Sequence, residues 1–196
     1  MCRRHDVLLV VDEVMSGFHR TGRRFAFQCD LGVDPDILIL GKSLSAGLPL
    51  SGVLATEAVM ASTDPGTETS TYAGNLVSGA AALAADEVYR TEDMSSVAAA
   101  KGEFLPDELE RRLAPNPRVA EIRGRGLMVG IELTDDDGSP LNVAKRVSDE
   151  SVRQGLLVYP GGHHGNVIGL LPPLVSTEAQ LATAAEILGR LLSTLL

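Results

Sequence analysis

Cysteine is scarce in this 196-residue chain: only Cys2 and Cys29 occur, too few and too unpatterned for a disulfide framework or a zinc site. No apolar run reaches the length needed to cross a bilayer. No charged leader followed by an apolar stretch precedes Asp6. Positive charge is also short, with 17 Lys and Arg against 26 Asp and Glu and a net charge of −9, which argues against a nucleic-acid groove. These absences lead us to expect a soluble, cytoplasmic protein that acts on small molecules, with neither a nucleic acid nor a membrane as partner. At 44% hydrophobic and 22% charged residues, the chain can bury a core as one or two domains.

What the chain does carry is a conspicuously placed lysine. In DPDILILGKSLSAGLP, residues 34–49, Lys42 follows a short apolar run and precedes a glycine-containing turn. A lysine there is most often an exposed strand-end residue. The string G-K-S is also the tail of a phosphate-cradling motif, but that motif needs glycine five residues before Gly41, where Asp36 stands, and its loop would be the apolar ILIL. A third role is an amine that attacks a carbonyl to form a Schiff base, as in pyridoxal phosphate enzymes. That role demands an acidic partner for the cofactor's ring nitrogen and hydroxyl or N–H donors for its phosphate.

VLLVVDEV, residues 7–14, offers the acid. Its five consecutive apolar residues read as a strand buried on both faces, as in a parallel sheet, with Asp12 at the carboxyl end. Ile37–Leu40 reads as a second strand ending just before Lys42. Open α/β sheets bind ligands at the carboxyl ends of their strands, and the 30 positions from Asp12 to Lys42 leave room for a crossover or a long loop between parallel neighbours. Taken alone, a strand-end aspartate such as Asp12 is usually a turn or cap residue. Glu13, if the strand continues, points to the opposite face.

DEVMSGFHRTG, residues 12–22, resembles the D-E-x-x-x-G-F-x-R-T-G segment of class III pyridoxal phosphate aminotransferases, and PDILILGKSLSAGLPLSGV, residues 35–53, resembles the lysine segment that follows it. STYAGNLVSGAAALA (70–84), IRGRGLMVGIEL (122–133) and NVIGLLPPLVSTEAQ (166–180) resemble three later family segments, in the family's order. The resemblance implies an α/β fold of fold-type I, with a partial, mainly parallel large domain and a C-terminal α+β small domain. It implies transfer of an amino group between an amino donor and a keto or aldehyde acceptor, with pyridoxal 5'-phosphate as cofactor and no metal. Lys42 becomes the Schiff-base lysine and proton shuttle, and Asp12 the carboxylate that keeps the ring nitrogen protonated. Thr71 becomes the phosphate-binding threonine, acting across a homodimer interface. From its neighbours alone, Thr71 would be a helix cap or a turn hydroxyl.

Two positions depart from the family pattern. Met15 stands where many members carry glutamine. Gly169, in VIGLLPPL, stands where the family commonly has an arginine that grips a substrate carboxylate, a loss worth about 1.5–3 kcal/mol of binding. The chain also enters an apolar strand after only MCRRHD, so the resemblance places it as the second half of such an enzyme. Two other readings stay open: a non-catalytic fragment or subunit that joins a separate N-terminal half, and a decayed pseudoenzyme.

The expected layout is residues 1–92 as the C-terminal part of the cofactor-binding large domain, 93–115 as a linking helical segment, and 116–196 as the small domain. Within it we expect a strand at 51–56, a helix over 77–90, and a helix over 95–113 that Pro106 starts, kinks or divides. Strand, glycine turn and strand follow at 119–133, then a helix at 144–155 ended by Gly155, and a strand in GLLVYP. Thr177 and Gln180 form a capping-box pattern, and Leu181, Ala185, Leu188 and Leu192 mark one apolar helix face. GRGLMVG is a turn rather than a dinucleotide fingerprint, since Val129 replaces its third glycine. His163 and His164 belong to a surface loop without a third metal ligand.

Overall fold

The computed structural model describes residues 2–30, 32–64, 66–67 and 69–196, apart from the side chain of Arg3. The chain divides into two compact units, Met1–Ser95 and Ser96–Leu196. In chain order the elements are β1 (Val10–Asp12), α1 (Phe27–Asp30), β2 (Ile37–Leu40), β3 (Gly52–Ala55), α2 (Glu57–Met60), α3 (Leu76–Thr91), α4 (Met94–Leu113), β4 (Val119–Arg125), β5 (Met128–Leu133), α5 (Ala144–Arg153), β6 (Tyr159–Gly161), β7 (Val167–Leu170) and α6 (Glu178–Leu195). No helix among the described residues is long and apolar enough to cross a membrane.

The first unit is built on the sheet β1-β2-β3. Strand β1 runs parallel to β2, with Val10 opposite Ile37, Val11 opposite Leu38 and Asp12 opposite Ile39. Strand β3 pairs antiparallel to the other side of β2. The parallel register is clamped at both ends. At the amino end Asp36 Oδ2 accepts from Leu9 N at 2.7 Å, while Asp36 N and Ile37 N donate to Leu9 O at 2.9 and 3.1 Å. At the carboxyl end Glu13 N donates to Ile39 O at 2.9 Å. Asp36, which rules out a phosphate loop in the sequence, is therefore the residue that seats β1.

Expected and observed strands differ at β1. The apolar run 7–14 reads as covered on both faces, yet only three of its residues are strand and Val7, Leu8 and Val10 are each at least half exposed. The cause is position: β1 is the edge of its sheet and has β2 as its one strand neighbour among the described residues. An apolar run records a capacity for burial, and an edge strand has cover on fewer sides. Helix α3 forms where expected, and its start is fixed by Asn75, whose Oδ1 accepts from Val77 N and Ser78 N at 3.1 and 3.0 Å.

The second unit holds an antiparallel sheet of order β4-β5-β7-β6. Strand β5 alternates half-buried and buried residues, so Val129, Ile131 and Leu133 enter a core with Leu105, Leu109, Leu113, Ile168, Leu188 and Leu192. Helix α6 begins with the expected capping box between Thr177 and Gln180 and buries Leu181, Ala185, Leu188 and Leu192. The turn in GRGLMVG is the two-residue loop Gly126–Leu127, with Arg125 opposite Met128 and Gly126 at φ 54°, the backbone that glycine permits at the first loop position. The strand expected in GLLVYP begins only at Tyr159.

Pro106 does not end its helix. It lies inside continuous α4, although it lacks the N–H that would bond the carbonyl four residues back, that of Gly102. Packing outweighs that loss. Leu105, Leu109 and Leu113 are fully or almost fully buried on one face. Gly102 also approaches the β4–β5 turn so closely that a Cβ there would lie 2.3 Å from Gly126 Cα.

The clamp at Asp36 is testable. Asp36→Ala removes a charged acceptor from Leu9 N, and the expected cost is about 1.5 kcal/mol, read as a lower urea midpoint for the first unit with the second unchanged. An unaltered midpoint would remove Asp36 as the element seating β1.

Candidate functional site

Asp12 is the last residue of β1 and sits opposite Ile39; Lys42 follows Ile39 by three residues. The two therefore stand at the carboxyl ends of neighbouring parallel strands, and both are exposed. Asp12 Oδ1 accepts from Val14 N at 2.9 Å, so the turn role is real. A carboxylate has roughly four acceptor sites, and one backbone bond leaves capacity for a ligand donor.

Strand alternation puts Glu13 on the other side. It is fully buried, with Oε1 accepting from Phe27 N at 2.8 Å and Oε2 from the Ser16 hydroxyl at 2.5 Å. Glu13 is thus the internal post around which residues 14–27 fold. Gly17 comes so close to it that a Cβ would lie 2.7 Å from Glu13 O. Phe18 and His19 then adopt left-handed backbone, φ 55° and 69°, a conformation uncommon for residues with a Cβ and found most often where surrounding contacts enforce it. Those contacts are present. Phe18 meets Phe25 edge-on at 5.7 Å, His19 Nδ1 is 2.7 Å from Ser95 Oγ, and Arg24 pairs with Asp86 at 2.7 Å. Thr21 Oγ1 is buried with no hydrogen-bond partner among the described residues.

The lysine loop is strained in the same way. Lys42 opens a short 3-10 turn, Lys42–Leu44, at φ 44°, and Ala46 follows at φ 49°. Leu44 N donates to Gly41 O at 3.0 Å, the buried Ser45 hydroxyl donates to Leu48 O, and the Tyr89 phenol donates to Ser43 O at 2.9 Å.

Thr71 lies on the exposed turn Thr71–Gly74 before α3. The helix-cap alternative is corrected by the structure, because Asn75 performs that task; an asparagine directly before the alanine-rich run is the signal that marks it. Leu48 and Pro49 from the lysine segment, with Tyr72, Asn75, Val77 and Ser78, line a hollow of about 390 Å³, within the size range of small-molecule sites. Asp36 and Tyr89 have no local signature. Their partners lie 27 and 46 positions away.

In the second unit Gly169 sits in β7 opposite Tyr159 and Gly130. A Cβ there would meet Tyr159 O at 3.2 Å and Tyr159 Cβ at 3.4 Å. His163 and His164 are exposed, and no group of three or more His, Cys, Asp or Glu placed to hold a metal occurs among the described residues.

An amine and a carboxylate stand at adjoining strand ends, in an α/β unit that also carries a hydroxyl-bearing turn before a helix, and open α/β sheets bind ligands at such strand ends. The chain belongs to the class-III aminotransferase family, whose model matches residues 1–192. It is 38% identical to diaminobutyrate–2-oxoglutarate aminotransferase of Rhizobium meliloti, over 93% of this chain and 42% of that protein. It is 37% identical to acetylornithine aminotransferase of Methanothermobacter thermautotrophicus, over 100% and 47%. Among solved structures it superposes on a thermostable (S)-enantioselective omega-transaminase from Thermomicrobium roseum with a TM-score of 0.89 at 32% identity, covering 100% of this chain and 45% of that one. The chain thus spans about half the length of the relatives it matches. The fold is that of the fold-type I aminotransferases, and the family reading of the five ordered segments is borne out. Class-III aminotransferases depend on pyridoxal phosphate.

His19 gives the first unit a pH dependence. Burial, and then the nearby Arg24 charge, hold its imidazole below its ordinary 6.5, against weaker opposing pulls from Asp86 and Asp93. Between the folded and unfolded values the unfolded chain binds more protons. The neutral-His contribution is therefore complete above about pH 6.5 and is lost as pH falls from there towards the lower folded value. The shifted carboxyls Glu108, Glu132 and Asp137 act only below their ordinary 4.5, 4.5 and 3.8. Unfolding of the first unit followed from pH 7.5 to 5 should show stability falling with acid, and His19→Gln should flatten the slope. An identical slope in both proteins would contradict this assignment.

Proposed function

We propose that this chain carries the cofactor-attaching lysine of a pyridoxal phosphate enzyme that moves an amino group between an amino donor and a keto or aldehyde acceptor. The observation that carries the reading is the parallel β1–β2 register, with Asp12 and Lys42 at one end of it. The donor set fits the cofactor chemically. An amine suits its aldehyde carbon, a carboxylate suits a protonated pyridine nitrogen and a hydroxyl suits its phosphate, and Lys42, Asp12 and Thr71 are all exposed in the first unit.

When bound, pyridoxal phosphate supplies an electron sink for the pair left behind as a substrate's α-proton departs. Asp12 would hold the proton on the pyridine nitrogen. Lys42 Nζ would be the attachment point, and as a free amine it would accept and return a proton. The Thr71 hydroxyl would donate to the phosphate. The left-handed Lys42 backbone supports this reading, since strain of that kind clusters at functional sites.

We assign residues 1–92 to the cofactor-binding large domain, 93–115 to a linking segment and 116–196 to the small domain. The working form is a homodimer in the cytoplasm, where the free cysteines Cys2 and Cys29 stay reduced. Gly169 supplies no guanidinium and Tyr159 crowds its Cβ position, so substrate recognition does not depend on an arginine there. The relatives named for diaminobutyrate and acetylornithine differ in donor, and the donor class proposed for this chain is an amino compound.

Two measurements test the reading. Borohydride reduction of the chain with pyridoxal phosphate, followed by peptide mapping, should give a pyridoxyl group on Lys42. An adduct confined to Lys101, whose Nζ donates to Leu174 O, or to Lys145, which pairs with Asp149, would sink it. Asp12→Ala should leave attachment intact while slowing single-turnover exchange of a substrate's α-proton by roughly 100-fold; an unchanged rate would take Asp12 out of this role.

A further inference from the structure

We propose that Tyr89 is the positioning residue of the lysine loop, holding Lys42 in its left-handed backbone from helix α3 while its ring seats that helix on the Phe18–His19 turn. The proposal rests on reading Lys42 as the attachment residue and adds a group that acts through Ser43 rather than on the cofactor.

The loop's own bonds cannot fix it in the unit. Leu44 N to Gly41 O and Ser45 hydroxyl to Leu48 O both join residues of the same loop, so they shape it and move with it. The Tyr89 phenol reaches in from 46 positions away and donates to Ser43 O at 2.9 Å. Ser43 follows Lys42 directly, so only the φ and ψ of Ser43 separate its carbonyl from the Lys42–Ser43 peptide plane. Lys42 occupies a region where a residue with a Cβ persists only when its surroundings over-determine it. The Tyr89 bond supplies that determination from outside.

Tyr89 is itself held. Its ring lies 6.2 Å from that of Phe18 and 5.5 Å from that of His19, centroid to centroid. His19 is fixed in turn by Ser95, and Arg24 ties the same segment to Asp86, one turn before Tyr89 on α3. Burial raises the phenol's ionisation above its ordinary value, against a smaller opposing effect of Arg20, so the hydroxyl keeps the proton it donates through neutral pH. One side chain thereby couples the segment that follows Asp12 to the segment that carries Lys42. These are the two stretches whose relative placement the chemistry needs, and an error of about 1 Å there is enough to cost a large factor in rate.

Tyr89→Phe deletes the hydroxyl and keeps the ring, so the packing on Phe18 and His19 survives. Two readouts follow. Amide hydrogen exchange of residues 41–48, measured on the chain without cofactor, should quicken about fivefold, the effect of one ordinary hydrogen bond, while peptides of the second unit exchange as before. In borohydride trapping with pyridoxal phosphate, the yield at Lys42 relative to exposed Lys145 should fall severalfold. Unchanged exchange in the loop overturns the tether. Faster exchange with an unchanged Lys42 to Lys145 ratio overturns the positioning role. Trapping confined to Lys101 or Lys145 in the unsubstituted chain overturns the attachment reading and the positioning role with it, and the exchange result then decides the tether alone.

Discussion

The parallel register of β1 against β2 is the constraint on which the candidate site depends. Side chains alternate along a strand, so a slip of one residue would turn Asp12 inward and Glu13 outward. The inward place suits Glu13 because Phe27 N and the Ser16 hydroxyl meet its carboxylate there. The outward place suits Asp12, whose charge stays hydrated and able to meet a ligand. A buried carboxylate without such donors is costly by several kcal/mol, so each acid penalises the slipped register from its own side. Asp36 fixes the other end by taking Leu9 N.

From that register the rest follows as a sequence of compensated strains. Phe18, His19, Lys42 and Ala46 all hold left-handed backbone, in the two segments that follow β1 and β2. Contacts at Phe25, Ser95, Asp86 and Tyr89 offset the cost, and those contacts come mainly from α3 and the start of α4. The helix is therefore more than cover for a sheet. It is the surface on which both strained loops are held.

Much of this was legible in the sequence because it is local. Capping of α6 by Thr177 and Gln180, the glycine hairpin at Gly126 and the apolar face of α6 are all written within a few residues. The ordered family segments made Lys42 and Asp12 visible as a pair. What was not legible depends on distant partners. The Asp36 clamp and the Tyr89 tether join residues far apart in sequence, and neither leaves a pattern in its own neighbourhood. Pro106 neither starts nor divides its helix: its intrinsic preference against helix interiors is real, but α4 runs on through it with Leu105, Leu109 and Leu113 packed on one face. The apolar run before Asp12 reported what could be covered, and the edge position of β1 determined what is.

The register is tested most directly by carboxyl labelling of the native chain with a carbodiimide and a small amine, followed by peptide mapping of residues 7–20. The account predicts rapid modification of Asp12, and protection of Glu13 that is lost only on unfolding. Equal labelling of the two acids, or faster labelling of Glu13, would contradict the register and remove the physical basis for placing Asp12 beside Lys42.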